Sequence, residues 1–188
     1  MVLSDKDLKI AIKSGKIKIT PVPDFKTQLG SCSIDLRLGN VFRVFEHSKH
    51  AYIDPFEKTS DSFTREIVMK PKEAFIVQPG DFVLATTMEN VAVPDDLVGT
   101  LEGRSSIGRL GIVIHSTAAA IDAGWRGHIT LELANMGKLP VALYPGMRIC
   151  SIAFEQLSSP AEVPYYKKKT AKYVGQKGPG ESKIREEK

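Results

Sequence analysis

The chain has 188 residues, 42% hydrophobic and 26% charged, with a formal net charge of +4. That length suits one domain with a sizeable core, and that composition excludes a disordered or fibrous chain. No apolar run approaches the roughly 20 residues that span a bilayer, and Met1-Val2-Leu3-Ser4-Asp5-Lys6 is not a leader segment, so a cytoplasmic protein without a membrane partner is expected.

The first predicted element is a short helix. Ser4 is a good N-cap, Asp7 stands at the capping-box position, and Leu3 and Leu8 have staple spacing. Ala11 and Ile12 continue the apolar face, and Gly15 stops it. Lys16 to Thr20 alternates as a short strand that Pro21 and Pro23 break. From there the pattern is β. Ser33 to Leu38 alternates strictly, and Val41 to Phe45 alternates after a Gly39-Asn40 turn. Residues 46–66 are polar and read as a long surface excursion. Further strands are expected at 74–77, 82–86, 97–101, 112–115, 128–133, 141–143 and 148–154, punctuated by Pro79-Gly80, Pro94-Asp95-Asp96, Ala123-Gly124 and Pro145-Gly146. Many short strands at regular spacing imply a sandwich or barrel, and the missing helical alternation argues against a Rossmann-like sheet. With no repeat and no dividing linker, 1–188 reads as one domain.

The densest chemistry lies between Leu101 and Glu132. Gly103-Arg104-Ser105-Ser106-Ile107-Gly108-Arg109 packs two guanidinium groups, two hydroxyls and two glycines into seven residues. Glycine lets backbone N–H groups approach an oxyanion closely, and arginine grips phosphate oxygens with a planar fork of donors. The alternating strand that follows delivers a single carboxylate, Glu132. A polyphosphate grip near a strand-borne carboxylate points to hydrolysis of a nucleotide. Read alone, Gly-Arg-Ser-Ser is equally a polar turn, Glu132 a solvent-facing strand residue and Asp122 a turn former before Ala-Gly.

Other classes fit less well. Cys32 and Cys150 have no C-x-x-C spacing, and two reduced, buried thiols are expected. The H-x-E and P-C-x-x-C parts of a zinc deaminase are both missing, and His47, His50, His115 and His128 do not cluster at ligand spacing, so no zinc is expected. Residues 166–188 carry eight Lys/Arg and three Glu, a net +5, which leaves the body at −1. A near-neutral body with 7% aromatics disfavours nucleic acid as a partner. The basic tail is either a solvated end or a flap that closes over an anionic ligand.

These residues resemble the dCTP deaminase family of the dUTPase-like superfamily. The likeness runs through Leu3-Ser4-Asp5-Lys6-Asp7, Ser33 to Asn40, Gln78-Pro79-Gly80, Leu101 to Ser106, Ile121-Asp122-Ala123-Gly124-Trp125, Leu143-Tyr144-Pro145-Gly146-Met147, Ser158-Ser159-Pro160, Lys172-Tyr173 and Gly175-Gln176-Lys177-Gly178, in order along nearly the whole chain. The resemblance implies a mainly β fold, a distorted dUTPase-like β-barrel with a short N-terminal helix, assembled as a homotrimer with active sites at subunit interfaces. It implies hydrolysis of dCTP to dUTP and ammonia, supplying pyrimidine deoxynucleotides, with dTTP as a possible feedback ligand.

The resemblance also assigns roles. Glu132 becomes the general base and acid, which one carboxylate can be in turn if held near both the water and the departing amine. Ser105 and Arg109 become supporting catalytic groups, Ser105 orienting the water or amine and Arg109 stabilising the developing negative charge. Arg104, Ser106, Ile107 and Gly108 fall in the polyphosphate cradle with Ser105 and Arg109. Asp122 matches the residue that receives the sugar 3′-hydroxyl in such deaminases; in dUTPases the corresponding aspartate orients the attacking water. Thr130 and Leu131 match a segment that meets the base through its backbone, and Tyr165, Lys172 and Gln176 match C-terminal nucleotide contacts, which favours 166–188 as a basic C-terminal flap. Lys167-Lys168-Lys169 has no matched role and reads as solvated charge. Magnesium is expected to arrive with the triphosphate, leaning on substrate oxygens rather than on a protein cage.

The product is less constrained. Bifunctional relatives, which carry dCTP to dUMP and diphosphate, tend to have Ala-Gly-aromatic-Ile-Asp and a Gln in the strand after Pro-Gly-Met. Monofunctional ones tend to have Ala-His-Arg-Ile-Asp and no such Gln. Here Ala118-Ala119-Ala120-Ile121-Asp122 fits neither, and Ser151 replaces the Gln, although Gly108 and Ser116-Thr117-Ala118 look bifunctional. The missing Gln and Gly favour a monofunctional enzyme, with the dUMP-forming enzyme as the alternative. A non-catalytic nucleotide-binding regulator is the alternative of another class; the intact Ser105, Arg109 and Glu132 set weighs against it.

Overall fold

Period-two alternation decides which side of each strand enters a core and which is left for other work. The computed structural model describes residues 1–46, 52–56 and 63–186. In them the elements are α1 (Asp5–Lys13), β1 (Lys18–Thr20), β2 (Ile34–Arg37), β3 (Val41–Phe45), β4 (Thr64–Val68), β5 (Phe75–Val77), β6 (Phe82–Ala92), β7 (Leu97–Gly103), α2 (Ser105–Gly108), β8 (Ile112–Val113), β9 (Ala120–Ile121), β10 (Arg126–Asn135), β11 (Val141–Leu143) and β12 (Arg148–Gln156).

A six-stranded sheet runs β4-β3-β6-β10-β8, with β1 also on β6; a four-stranded sheet runs β2-β12-β7-β9; β11 and β5 pair separately. Leu38 links the two larger sheets, bridging Thr87 of β6 while its N–H donates to Met147 O at 2.9 Å. The result is a distorted, incompletely closed β-barrel, as the sequence implied. Its core gathers Ile34, Leu36, Phe42, Val83, Leu101, Leu131, Leu133, Ile152 and Phe154, all at most 1% exposed. Each such side chain contributes roughly 1.5–3 kcal/mol by leaving water.

The helix forms where expected. Ser4 Oγ accepts the Asp7 N–H at 3.3 Å and donates to Asp7 Oδ2 at 2.9 Å. The shorter Asp thus closes the cap through the Ser hydroxyl rather than through the Ser N–H. Leu8, Ala11 and Ile12 are buried.

Several expectations need correction. The Gly39-Asn40 step is not a hairpin: β2 and β3 lie in different sheets. Gly39 N–H donates to Thr86 O at 2.8 Å, and a Cβ on Gly39 would stand 3.0 Å from that oxygen, so the glycine permits a crossing between sheets. The polar 46–66 stretch contains the start of β4, and most of the rest lies outside the described residues. β6 extends to Ala92 rather than ending at residue 86, because polar Glu89 and Asn90 continue the strand through a bulge. Cys150 is buried, but Cys32 is exposed. Burial pushes the Cys150 thiol far up, and the Glu89 and Asp35 carboxylates add to the shift.

The β6 bulge is held by a buried polar network. Opposite β10 the register slips between His128 and Thr130, which face Asn90 and Thr86. Within the slip the Glu89 side chain is 0% exposed. It accepts Arg37 Nε at 2.7 Å, Arg37 N–H at 2.8 Å and Gln28 Nε2 at 3.2 Å. Thr87 Oγ1 donates to Glu89 O at 2.7 Å and accepts Ile129 N–H at 3.0 Å. Removing one member of such a set strands the others. Glu89→Ala is therefore expected to lower unfolding free energy by about 3 kcal/mol, read as a drop in the urea midpoint with an unchanged slope.

Candidate active site

The site is built on the side of β10 that the core does not use. Gly127, Ile129, Leu131, Leu133 and Asn135 are buried, so His128, Thr130, Glu132 and Ala134 share the opposite face. Register continues this face across the sheet: Glu132 faces Leu84, Leu84 faces Arg43, and Arg43 faces Glu66. Glu132 is half-buried, and Ser116 N–H donates to its Oε2 at 3.1 Å. That bond ties the segment after β8 to the carboxylate.

Residues 105–109 form the short helix α2 and its cap. Ser105, Ser106, Gly108 and Arg109 are exposed, while Ile107 is 5% exposed and roots the turn in the core. Among the described residues the Ser105 and Arg109 side chains form no hydrogen bond or ion pair, and neither reaches Glu132 within the chain. Arg104 is engaged elsewhere. Its Nε lies 3.1 Å from Asp35 Oδ2, and its Nη1 donates to Arg148 O at 3.1 Å. Leu131 is fully buried, so only its backbone can meet a ligand.

The C-terminal segment lies along this same face rather than extending into solvent. Tyr165 N–H donates to Ala123 O at 2.8 Å, and its ring packs 5.4 Å from Trp125. Lys172 is half-buried further on. Gln176 bridges Gly127 in parallel and accepts His128 N–H at 2.9 Å. Its Nε2 donates to Thr130 Oγ1 and to His128 O. Two glycines make the crossing possible. A Cβ on Gly124 would stand 2.6 Å from Pro164 Cβ, and one on Gly127 would stand 2.9 Å from Gln176 N, both closer than packed atoms tolerate.

Asp122 is exposed, and its Oδ2 lies 3.2 Å from Lys168 Nζ. Lys168 is exposed, as the lysine run suggested, and this is a solvated surface pair. Lys167 lies 5.7 Å from the Tyr166 ring centroid. Among the described residues no three His, Cys, Asp or Glu converge on a metal position; His47 and His50 lie outside them.

The profile of the dCTP deaminase-like family matches residues 2–157. The chain belongs to that family. A dCTP deaminase of Thermomicrobium roseum is 61% identical over 188 residues, covering 100% of this chain and 95% of the relative. A dUMP-forming dCTP deaminase of Dictyoglomus thermophilum is 51% identical over 184 residues, covering 98% and 95%. The crystal structure of 2′-deoxycytidine 5′-triphosphate deaminase from Agrobacterium tumefaciens shares the fold, with a TM-score of 0.63 and 22% identity; the match covers 82% of this chain and 47% of that one.

Three features of the site escaped the sequence reading: the Ser116 amide on Glu132, the Lys168–Asp122 pair and the Asp35–Arg104 pair. Each joins residues at least 16 positions apart, the last 69 apart. No local spacing signals them. The docked tail makes a direct prediction. Truncation before Lys172 removes the acceptor of His128 N–H, so that amide should exchange about tenfold faster. Ile129 N–H, held by Thr87 Oγ1, should keep its protection.

Proposed function

We propose that this protein is a cytoplasmic dCTP deaminase that converts dCTP and water to dUTP and ammonia, acting as a homotrimer. The observation that carries this is Glu132. It is a half-buried carboxylate on a sheet face shared with Thr130, steadied by the Ser116 amide and bordered by the docked C-terminal segment. Family membership, with curated relatives named for this reaction, supplies the substrate class.

In this reading Glu132 removes a proton from water as the oxygen attacks carbon 4 of cytosine, then passes it to the departing amine. The Ser116 N–H fixes one carboxylate oxygen and leaves the other for the water. Thr130 and Leu131 meet the pyrimidine edge through their backbone. Asp122 takes the sugar 3′-hydroxyl in exchange for Lys168, freeing that cation at the edge of the site. Ser106, Ile107 and Gly108 present backbone and hydroxyl donors to the phosphates. Arg104 contributes its remaining donors while Asp35 holds its Nε. Tyr165, Lys172 and Gln176 close over the nucleotide from the tail.

Ser105 and Arg109 complete the reacting centre from a neighbouring copy. The support is their exposure and their lack of contact with Glu132 inside one chain. Leu110, Val113, Met136 and Leu139, 37% to 77% exposed around the end of β8 and β10, offer the apolar surface that such an assembly would cover. Magnesium enters bound to the triphosphate and offsets its charge. dTTP, with the same sugar and phosphates, competes for the site as a feedback ligand.

A second reading is favoured by one observation: relatives 47–51% identical, such as those of Dictyoglomus thermophilum and Methanothermobacter thermautotrophicus, are named dUMP-forming. Diphosphate release needs a water aligned on the α-phosphate, and a misplacement of about 1 Å can cost on the order of 10² in rate. Ser151 lies on β12 opposite Asp35 and Glu102, and its short side chain replaces the longer Gln expected of bifunctional relatives.

Two experiments test these readings. Glu132→Gln should lower deamination by about 10²–10⁴ while nucleotide binding persists; near-normal ammonia release would remove Glu132 from the mechanism. Chromatography of the dCTP reaction should show dUTP accumulating without diphosphate. Stoichiometric dUMP and diphosphate would establish the dUMP-forming reading instead.

A further inference from the structure

We propose that Glu181 is a positioning residue that fastens the far end of the tail to the β3–β4 ladder and so holds Gln176 against the Thr130–Glu132 face. This rests on the reading of that face as the deamination site. The tail leaves β10 at Gln176 and reaches β3 and β4, along the same face of the sheet, within five residues. There Glu181 Oε1 accepts Thr64 N–H at 3.1 Å and the Thr64 hydroxyl, and lies 3.8 Å from Arg43 Nη1. Arg43 belongs to the cross-strand row that begins at Glu132 and passes through Leu84.

Two observations place the crossing over the sheet. Leu84 points away from the core with Glu132, yet it is only 8% exposed. A cleft of about 230 Å³ lies between Phe45, Thr64 and Leu84 on the sheet side and Glu181 and Arg185 on the tail side. The anchor is reinforced nearby. Lys183 N–H donates to Tyr173 Oη at 3.0 Å, and the Arg185 guanidinium lies 4.8 Å from the Phe63 ring centroid.

The chemistry of the anchor suits a fastening. In a segment dominated by lysine and arginine, Glu181 is the carboxylate that meets Arg43 and the paired donors of Thr64. Charge-assisted hydrogen bonds of this type are stronger than neutral ones. Between the two attachment points lie only Lys177, Gly178, Pro179 and Gly180. The five steps from Gln176 to Glu181 span at most about 18 Å, so the anchor limits how far Gln176 can lift. The fixed tail end then raises the effective concentration of Gln176, and of Lys172 before it, over bound nucleotide.

The test compares Glu181→Ala, Thr64→Val and Glu181→Gln with the unaltered chain. Glu181→Ala and Thr64→Val should each raise KM for dCTP about tenfold with kcat within about twofold, and Glu181→Gln should recover part of the loss. His128 amide exchange should quicken in Glu181→Ala, while Tm stays unchanged. An unaltered KM together with unaltered His128 exchange in Glu181→Ala would overturn the anchor. If the unaltered protein releases no ammonia from dCTP, the functional reading fails instead, and the His128 exchange rate still decides whether Glu181 holds the tail.

Discussion

One strand carries two obligations, and the rest of the molecule is arranged around them. β10 sends Ile129, Leu131 and Leu133 into the core, each no more than 3% exposed. Alternation then forces His128, Thr130 and Glu132 onto the other face. A slip of one residue would bury a carboxylate and expose three large apolar side chains, so the hydrophobic core itself holds Glu132 in place. The position of the carboxylate is a packing result before it is a chemical one.

The buried Glu89 network serves that strand. The β6 bulge needs extra backbone between Thr86 and Asn90, and its groups must find partners away from water. Glu89, Thr87, Arg37 and Gln28 satisfy one another there. The bulge brings Thr87 Oγ1 to Ile129 N–H and leaves His128 N–H pointing to the open side, where Gln176 O takes it. A polar network inside the barrel thus creates the edge on which the tail pairs.

The tail changes what the sheet face is. Without it, Thr130 and Glu132 would lie on an open, solvated surface. With it, Leu84 lines a cleft closed by Glu181 and Arg185, Thr130 has a partner and Asp122 faces Lys168. Gly124 and Gly127 give the tail its closest approaches to the barrel, and both positions would clash with any side chain. Of the positive charge in this segment, Lys168 is the cation that meets a carboxylate of the site, Asp122, at the exposed edge.

Much of this was legible in the amino-acid order, for local reasons. The capped helix follows from Ser4, Asp7 and Gly15. The strands Val41–Phe45 and Val141–Leu143 follow from short alternating runs between turn residues, and β10 was legible over residues 128–133. The resemblance through Gly103 to Arg109 and Ile121 to Trp125 indicated the family that the whole-chain comparison bears out. Tertiary structure alone decided the remainder. It put β2 and β3 into different sheets at Gly39, carried β6 through the polar Glu89 and Asn90, drew Arg104 to Asp35, and brought Lys168, Gln176 and Glu181 onto the barrel. Spacing reports which face a residue takes on its own element. Which distant charge or backbone group meets that face depends on how the sheets cross, and that is set by the packing of the whole core.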